Sequence, residues 1–426
     1  MKKFFHSIRG TTDFYPPKSF VIEKIIEKAK AIFQNFGYEP IILPHLEEEG
    51  LFQKSVGAIT DIVEKQMFKI ESKGIVLRPE GTAQVARFYI ENNLSKLRDF
   101  HKFYYLGAMF RGERPQKGRL REFNHIGAEA IGSNSFYLDA EIIELAVKIV
   151  KEIGIKDFSL KLNSLGCIKD KNRLAQLIKD KLAVYKNNFC PDCQRRFNYN
   201  PLRILDCKNE GCRVIIRSLN LDRNNYLCYD CNEHFSGVLN LLDEFAISYK
   251  YEPLLVRGLD YYTNTVFEIT TSLLGSQDAL GAGGRYNELI SNLGGDRVGA
   301  VGFALGLERI LLLLDTPTQI NRLKVFVASS SLEMYKEAYR ITRLLRENNI
   351  PAEIDYKDKT LKAQLKYANK LGVSIVVILG DEEFKEGCIL VRDMEKSLQE
   401  KVRKEDLLSI IKRRKDVKNT HLYRVK

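Results

Sequence analysis

Residues 101 to 132 contain two alternating runs, HKFYYLGAMFRGE and LREFNHIGAEAIG, joined through the Pro/Gly loop RPQKGR. Side chains alternate across a strand, and such runs flanking a turn read as a hairpin. One wall of this hairpin then carries arginine and carboxylate side by side. Arg111 shares a face with Gly107 and Met109, and Arg121, Phe123, His125 and Glu129 share the matching face. Five cations (Arg111, Arg114, Lys117, Arg119 and Arg121) crowd the loop, with Glu113 and Glu122 among them. On pattern alone this is either a surface hairpin laced with ion pairs or a wall that holds an anion.

The flanking elements follow from period and punctuation. SFVIEKIIEKAKAIFQNF repeats its apolar residues at helical spacing and stops at Gly37. YEPIILPHLEEEGLF reads as a strand stopped by Pro44, and IVLR at 75 to 78 as another, leading through Pro79 and Gly81 into a helix capped by Thr82. A helix, YLDAEIIELAVKIVKEIG, precedes the strand FSLKLNSLG. From residue 166 to about 250 the composition shifts to a cysteine-bearing insertion. β-Rich sequence resumes at PLLVRGLDYYTNTVFEITTS, then glycine-rich LGAGGRYNELI and the strand-to-helix unit GAVGFALGLERILLLL. TPTQINR at 316 to 322 reads as a linker. Beyond it LKVFVAS, AEIDY and VSIVVILG alternate with helices, the pattern of a small α/β domain with a mainly parallel sheet.

A chain of 426 residues exceeds one comfortable core, so two or three domains are expected. The N-terminus lacks the apolar stretch of a signal peptide, and ILLLL is far too short to span a bilayer, so a cytoplasmic protein with no membrane partner is expected. The net charge of +12 suits a polyanionic partner such as RNA, or a phosphorylated ligand. Ten Lys/Arg against three Asp/Glu give +7 from Lys401 to Lys426, which reads equally as a solvated tail or an RNA contact.

Three distant segments, FRGERP, LVRGLDYY and LGLERIL, set an arginine beside glycine or a strand end. Together, in a β-rich region without a Walker-type loop, they suggest phosphate held by guanidinium forks. These residues carry a family resemblance that runs nearly end to end. YEPIILPHLEEEGLF, FRGERPQKGRLREFNHIGAE and GAVGFALGLERIL resemble the three class II aminoacyl-tRNA synthetase motifs. LRPEGTAQVAR resembles an amino-acid-binding loop, and LVRGLDYYTNTVFE and GAGGRYNELI resemble the histidine-specific signatures. The chain thus resembles the histidyl-tRNA synthetases.

The resemblance implies an α+β class II catalytic domain, an antiparallel sheet flanked by helices, with an inserted module and a C-terminal α/β anticodon-binding domain. It divides the chain into 1–165, the insertion 166–250, 251–317, and 323–426. It implies a ligase that joins L-histidine to ATP and passes it to tRNA(His), with Mg2+ on the phosphates and a homodimer built on the first motif. By resemblance Arg111 and Arg257 bracket the α-phosphate as catalytic residues, Arg309 holds the far end of ATP and Glu113 lies near adenine. Glu80, Gly81, Thr82 and position 125 surround the α-amino group. Glu129, Tyr262 and Tyr286 face the imidazole, with Tyr261 close by. One departure stands out: the family's usual glutamine is His125 here. An imidazole of ordinary pKa predicts histidine binding that weakens as pH falls through about 6.5.

Six of eight cysteines fall between Cys190 and Cys231. The paired knuckles C-P-D-C and C-Y-D-C point to structural Zn2+ through Cys190, Cys193, Cys228 and Cys231, with Cys207 and Cys212 as rival ligands and His234 close in sequence. Reduced, buried thiols are the alternative; Cys167 and Cys388 read as core residues. Two other functions stay open on the sequence: a histidine-sensing regulatory paralogue of ATP phosphoribosyltransferase, and a tRNA-like-RNA-binding protein without catalysis. The α/β module after Leu323 and the retained arginines weigh against both.

Overall fold

The structure is a computed structural model that describes residues 5–57, 60, 62–70, 74–315, 325–357, 359–415 and 424–425. The linker 316–322 and residues 416–423 of the basic tail lie outside the described residues. The chain divides into two compact units between Asp315 and Thr316.

Helix α1 (Lys18–Asn35) buries Val21, Ile25, Ala29, Ile32 and Phe33. That spacing places them on one stripe, each aliphatic side chain contributing about 1.5–3 kcal/mol when removed from water. The strand expected after Gly37 shrinks to β1 (Glu39–Pro40), because Pro40 brings no N–H to a ladder. The hairpin forms as read: β2 (His101–Phe110) pairs antiparallel with β3 (Glu122–Ile131), Gly107 opposite His125. Helix α2 (Thr82–Glu91) starts just before it, and α3 (Phe136–Ile153) follows, with the Ser135 hydroxyl accepting from the Tyr137 N–H and Gly154 closing it at φ +111°.

Five more strands complete the sheet: β4 (Ser159–Ser164), β5 (Lys250–Tyr251), β6 (Thr263–Thr270), β7 (Ala279–Arg285) and β8 (Ala300–Gly306). The order is β1-β2-β3-β8-β7-β6-β4-β5, antiparallel except for the two edge pairs. Its two faces differ. Tyr104 of β2 stacks on Phe33 of α1 at 4.7 Å, and Ile126, Ala128 and Phe303 lie buried on the same side. The opposite face carries Tyr105, Gly107, His125, Gly302, Ala304 and Gly306; these mostly small residues leave a hollow over the sheet.

Between β4 and β5 the insertion is helical: α4 (Ile168–Leu182), α5 (Pro191–Tyr199), α6 (Glu210–Arg217) and α7 (Tyr229–Glu244). Its apolar residues Leu174, Ile178, Ile204 and Ile216 join one cluster with Tyr261, Tyr262 and Tyr286. After α8 (Leu307–Leu311) the first unit ends.

In the second unit β9 (Val325–Ser329), β10 (Ala352–Ile354) and β11 (Ile375–Leu379) are parallel, and β12 (Cys388–Asp393) and β13 (Leu398–Arg403) add an antiparallel edge. Val325–Ser329 and Ile375–Leu379 are buried throughout, as strands covered on both faces must be.

Candidate active site

One cleft on the open face of the large sheet gathers the residues singled out above. Arg111, Arg257 and Arg309 line it, together with Glu80, Gly81, Thr82, Glu113, His125, Tyr261 and Tyr262. Glu129 and Tyr286 lie just beneath and are fully buried.

The guanidinium groups come from separate parts of the chain. Arg111 follows β2; its Nε donates to the Pro79 carbonyl at 3.0 Å and its head lies 5.2 Å from the Phe123 ring centre. Arg257 sits in the turn before β6, where its Nη1 donates to Glu268 at 2.7 Å. Arg309, on α8, donates to the carbonyls of Gly118 at 2.8 Å and Ala279 at 2.6 Å. Burial, opposed by the Glu80 carboxylate and reinforced by Arg257, lowers the affinity of Arg111 for its proton. Arg309 is lowered by burial and by Arg111. Among the described residues Arg257 alone of the three makes an ion pair, with Glu268, so Arg111 and Arg309 leave positive charge for an anion.

The turn that begins α2 is clamped from behind. Arg78 donates through Nε to Ala108 O at 2.7 Å and through Nη1 to Leu43 O at 2.9 Å. The Glu80 carboxylate accepts from the N–H groups of Thr82 (2.6 Å) and Ala83 (2.9 Å), at the positive end of the helix. Burial still raises its pKa.

Glu129 is the deepest group. Its oxygens accept from the hydroxyls of Thr82 at 2.7 Å, Tyr286 at 2.7 Å and Tyr105 at 3.2 Å. Burial raises its carboxyl to about 8, against the pull of these donors. The fit is tight. A Cβ on Gly302, the cross-strand neighbour, would fall 1.7 Å from Oε2, and a Cβ on Gly127 would fall 2.4 Å from the Tyr105 ring. Thr82 thus ties the helix turn to Glu129, so Glu80, Thr82 and Glu129 share one network. Tyr105, Gly127 and Gly302 were missed in the sequence; the alternation of glycine along three neighbouring strands was the available signal.

Three sequence expectations are corrected. First, Arg121 does not share the wall with His125. It lies one residue before β3, and its side chain turns to the carbonyls of Glu113 (3.2 Å) and Arg9 (3.4 Å). Second, His125 does not titrate near 6.5: burial, then Arg111, Arg309 and Arg78, hold its pKa well below that value. It faces the cleft as a neutral imidazole. Third, the two cysteine knuckles do not share one site. Cys190 and Cys193 group with Cys207 and Cys212, whereas Cys228 and Cys231 group with Cys167 and Asp170. His234 belongs to neither group, because its Nε2 pairs with Asp139 at 2.8 Å. Glu113 lines the cleft and pairs with Arg119.

The comparisons with known proteins agree with this geometry. A family model described as histidyl-tRNA synthetase matches residues 10–184 and 202–310, and an anticodon-binding-domain model matches 324–414. The chain belongs to the histidyl-tRNA synthetase family. It is 44% identical to the histidine--tRNA ligase of Halothermothrix orenii over 91% of this chain and 94% of that one. It is 41% identical to the Aquifex aeolicus enzyme over 94% and 99%. The apo histidyl-tRNA synthetase structure from S. aureus superposes with a TM-score of 0.79 at 30% identity, covering 96% of this chain and all of that one. The fold is that of the family: a class II catalytic sheet with flanking helices, followed by an anticodon-binding domain. As a family member the chain is a ligase that activates histidine with ATP and charges tRNA with it.

Proposed function

We propose that the cleft is where the histidine carboxylate attacks the α-phosphate of ATP, and where the histidyl-adenylate then passes its acyl group to the 3′ end of tRNA(His). Attack of one anion on another needs fixed positive charge at the reacting phosphorus and fixed alignment. The convergence of Arg111, Arg257 and Arg309 on one hollow carries this reading. Arg111 and Arg257 bracket the α-phosphate and are the catalytic residues. Arg309 takes the far end of ATP, and Glu113 the adenine side.

Glu80, Gly81 and Thr82 hold the α-amino group with neutral His125 as an acceptor. Glu129, Tyr262 and Tyr286 read the imidazole beside Tyr261. Burial raises the Tyr262 hydroxyl to about 12, so it stays a donor. A pocket whose polar groups pair only with an imidazole rejects side chains that would leave them unpaired. Magnesium would offset phosphate charge. Glu308 lines the cleft, accepts from the Asn124 N–H and amide, and among the described residues pairs with no cation, so it is a carboxylate that can meet the ion.

The division of labour we infer assigns 1–165 and 251–317 to catalysis, 166–250 to the acceptor arm of the tRNA and 323–426 to the anticodon. A homodimer through the first-motif segment is supported by Ile42, 97% exposed, and Leu46 beside it. A cytoplasmic location suits eight free thiols. The deciding experiment is histidine-dependent pyrophosphate exchange. Arg257→Ala should slow adenylate formation by roughly 10²–10³, the scale for one preorganised donor. A raised KM with unchanged kcat would remove Arg257 from the chemistry.

A further inference from the structure

We propose that the helical insertion binds two zinc ions, one through Cys190, Cys193, Cys207 and Cys212, the other through Cys167, Asp170, Cys228 and Cys231. Within each set the ligand atoms lie within 4.8 Å of one another. A tetrahedral ion with Zn–S near 2.3 Å sets its sulfurs about 3.8 Å apart, and Cys190 Sγ and Cys207 Sγ stand 3.9 Å apart. All eight cysteines are free thiols. An iron–sulfur cluster places several metal ions among its thiolates and needs a wider opening.

The second site has a sequence signature of its own. Cys167 and Asp170 repeat the C-x2-C spacing with a carboxylate in the last position. Cys167 immediately precedes α4 and Cys228 immediately precedes α7, with Asp170 and Cys231 in the respective first turns. The two helix starts therefore present paired ligands in the same way, where the helix dipole favours anionic sulfur. Asp170 is fully buried; the half-exposed Arg173 pairs with its Oδ1 at 3.1 Å, and otherwise its carboxylate faces only the thiols of Cys167, Cys228 and Cys231 and the Cys228 N–H. A buried carboxylate among three thiols, with one half-exposed arginine as its counter-charge, is a better ligand for a metal cation than a structural group. A matching arrangement builds the first site, from the start of α5 and the first turn of α6.

Backbone and amide donors already point at the sulfurs. Cys190 N donates to Cys212 Sγ at 3.2 Å, and Asn209 N to Cys207 Sγ at 3.4 Å. Cys231 Sγ accepts from Cys167 N at 3.3 Å and Asn264 Nδ2 at 3.5 Å. Such bonds support metal-bound thiolates. Cys190 and Cys193 fall in the stretch, 185–201, where the family match breaks.

The module also braces the cleft. Lys171, one residue past Asp170, donates to the carbonyls of Asp260 and Tyr262, both at 2.8 Å. Between the two parts of the first site, Asn200 donates to Asp260 Oδ1 at 3.0 Å and Arg203 to Arg257 O at 3.3 Å. The ions would thus fix the scaffold under the Arg257–Tyr262 segment.

Metal analysis of the full-length chain, purified with Zn2+ and freed of excess by gel filtration, should give two zinc per chain. Cys193→Ser and Cys231→Ser should each keep one, and the double variant none. No zinc in the wild type would overturn the proposal, and so would a single ion lost equally in both variants. The unmutated protein gives an independent readout through thiol titration. One thiol, Cys388, should react in the zinc form, and seven more should open when a chelator is added. Unchanged reactivity on chelation would refute metal at both sites.

Discussion

Glu129→Gln probes the electrostatics of the histidine pocket. Glu129 has no exposed surface, and its carboxyl is raised from 4.5 to about 8, burial outweighing three donated hydroxyls. The folded chain therefore holds this proton more tightly than the unfolded chain does. The resulting stability is fully present below pH 4.5 and is lost as pH rises through about 8. A gap of about 3.5 pH units corresponds to ~5 kcal/mol at 1.36 kcal/mol per unit, a ceiling that rotation of the hydroxyls reduces. For a unit of this size that is about 10 °C in Tm. A glutamine at 129 stays neutral throughout. Thermal unfolding of both proteins from pH 5 to 9 should show the wild type losing several degrees relative to the variant as pH rises from 5 to about 8, with little further change to 9. Saturating histidine should move that loss to lower pH in the wild type alone, since an imidazole N–H favours the ionised carboxylate. A difference between the two proteins that stays constant across pH would refute a buried, proton-holding Glu129.

His125→Gln should leave the pH profile of the histidine KM unchanged between pH 5.5 and 7.5, because His125 stays neutral there; a loss centred near 6.5 in the wild type and absent from the variant would contradict the buried imidazole. Asp139→Asn strips the charge facing fully buried Arg285, which Asp139 meets at 2.8 Å through Nε. It should cost about 3–5 kcal/mol in urea unfolding, the scale for an uncompensated buried charge, and a change below 1 kcal/mol would mean that the Ser133 and Ser135 carbonyls suffice. Gly127→Ala should raise the histidine KM at least tenfold by displacing Tyr105, whereas Gly50→Ala, with open space around its Cβ, should not. Ending the chain at Asp315 should spare pyrophosphate exchange and impair tRNA charging; equal loss of both would contradict the division of labour.

The parts of the fold that were legible are those with a strong local period. The hairpin at 101–131 alternates apolar and functional residues without interruption, and the C-terminal strands are continuous aliphatic runs between helices, so both appear where the pattern puts them. The segment after Gly37 misleads because apolar residues and prolines share it, and backbone pairing, not side-chain pattern, decides its strand. At the site, the arginines were legible from their glycine neighbours. The three-hydroxyl cage of Glu129 was not, since Thr82, Tyr105 and Tyr286 meet only through the sheet. His125 misled because a pKa belongs to its surroundings, and two of the three arginines that lower it, Arg78 and Arg309, lie far from it in sequence. The cysteine ligand sets are hidden for the same reason: C-x2-C spacing fixes pairs within a turn but not which pairs meet, and a pattern of thiols does not mark the carboxylate of Asp170.

The cations of the cleft are not bare before ATP arrives. Arg257 rests on Glu268, Arg309 on two backbone carbonyls, and Arg119 on Glu113. These contacts keep the guanidinium groups in place, so little conformational entropy remains to be lost when phosphate binds. They differ in kind. Glu268 is a full counter-charge and can hold Arg257 in position while one edge of the guanidinium faces the cleft; its Nε is buried without a hydrogen-bond partner among the described residues. The carbonyls bound by Arg309 are only partial charges, and Gly118 lies in the cationic turn between β2 and β3. A triphosphate outcompetes a carbonyl dipole easily and a carboxylate poorly. On the proposed reading of the cleft, binding of ATP should therefore release Arg309 from Gly118 and free that turn to close over the nucleotide, while Arg257 stays paired with Glu268.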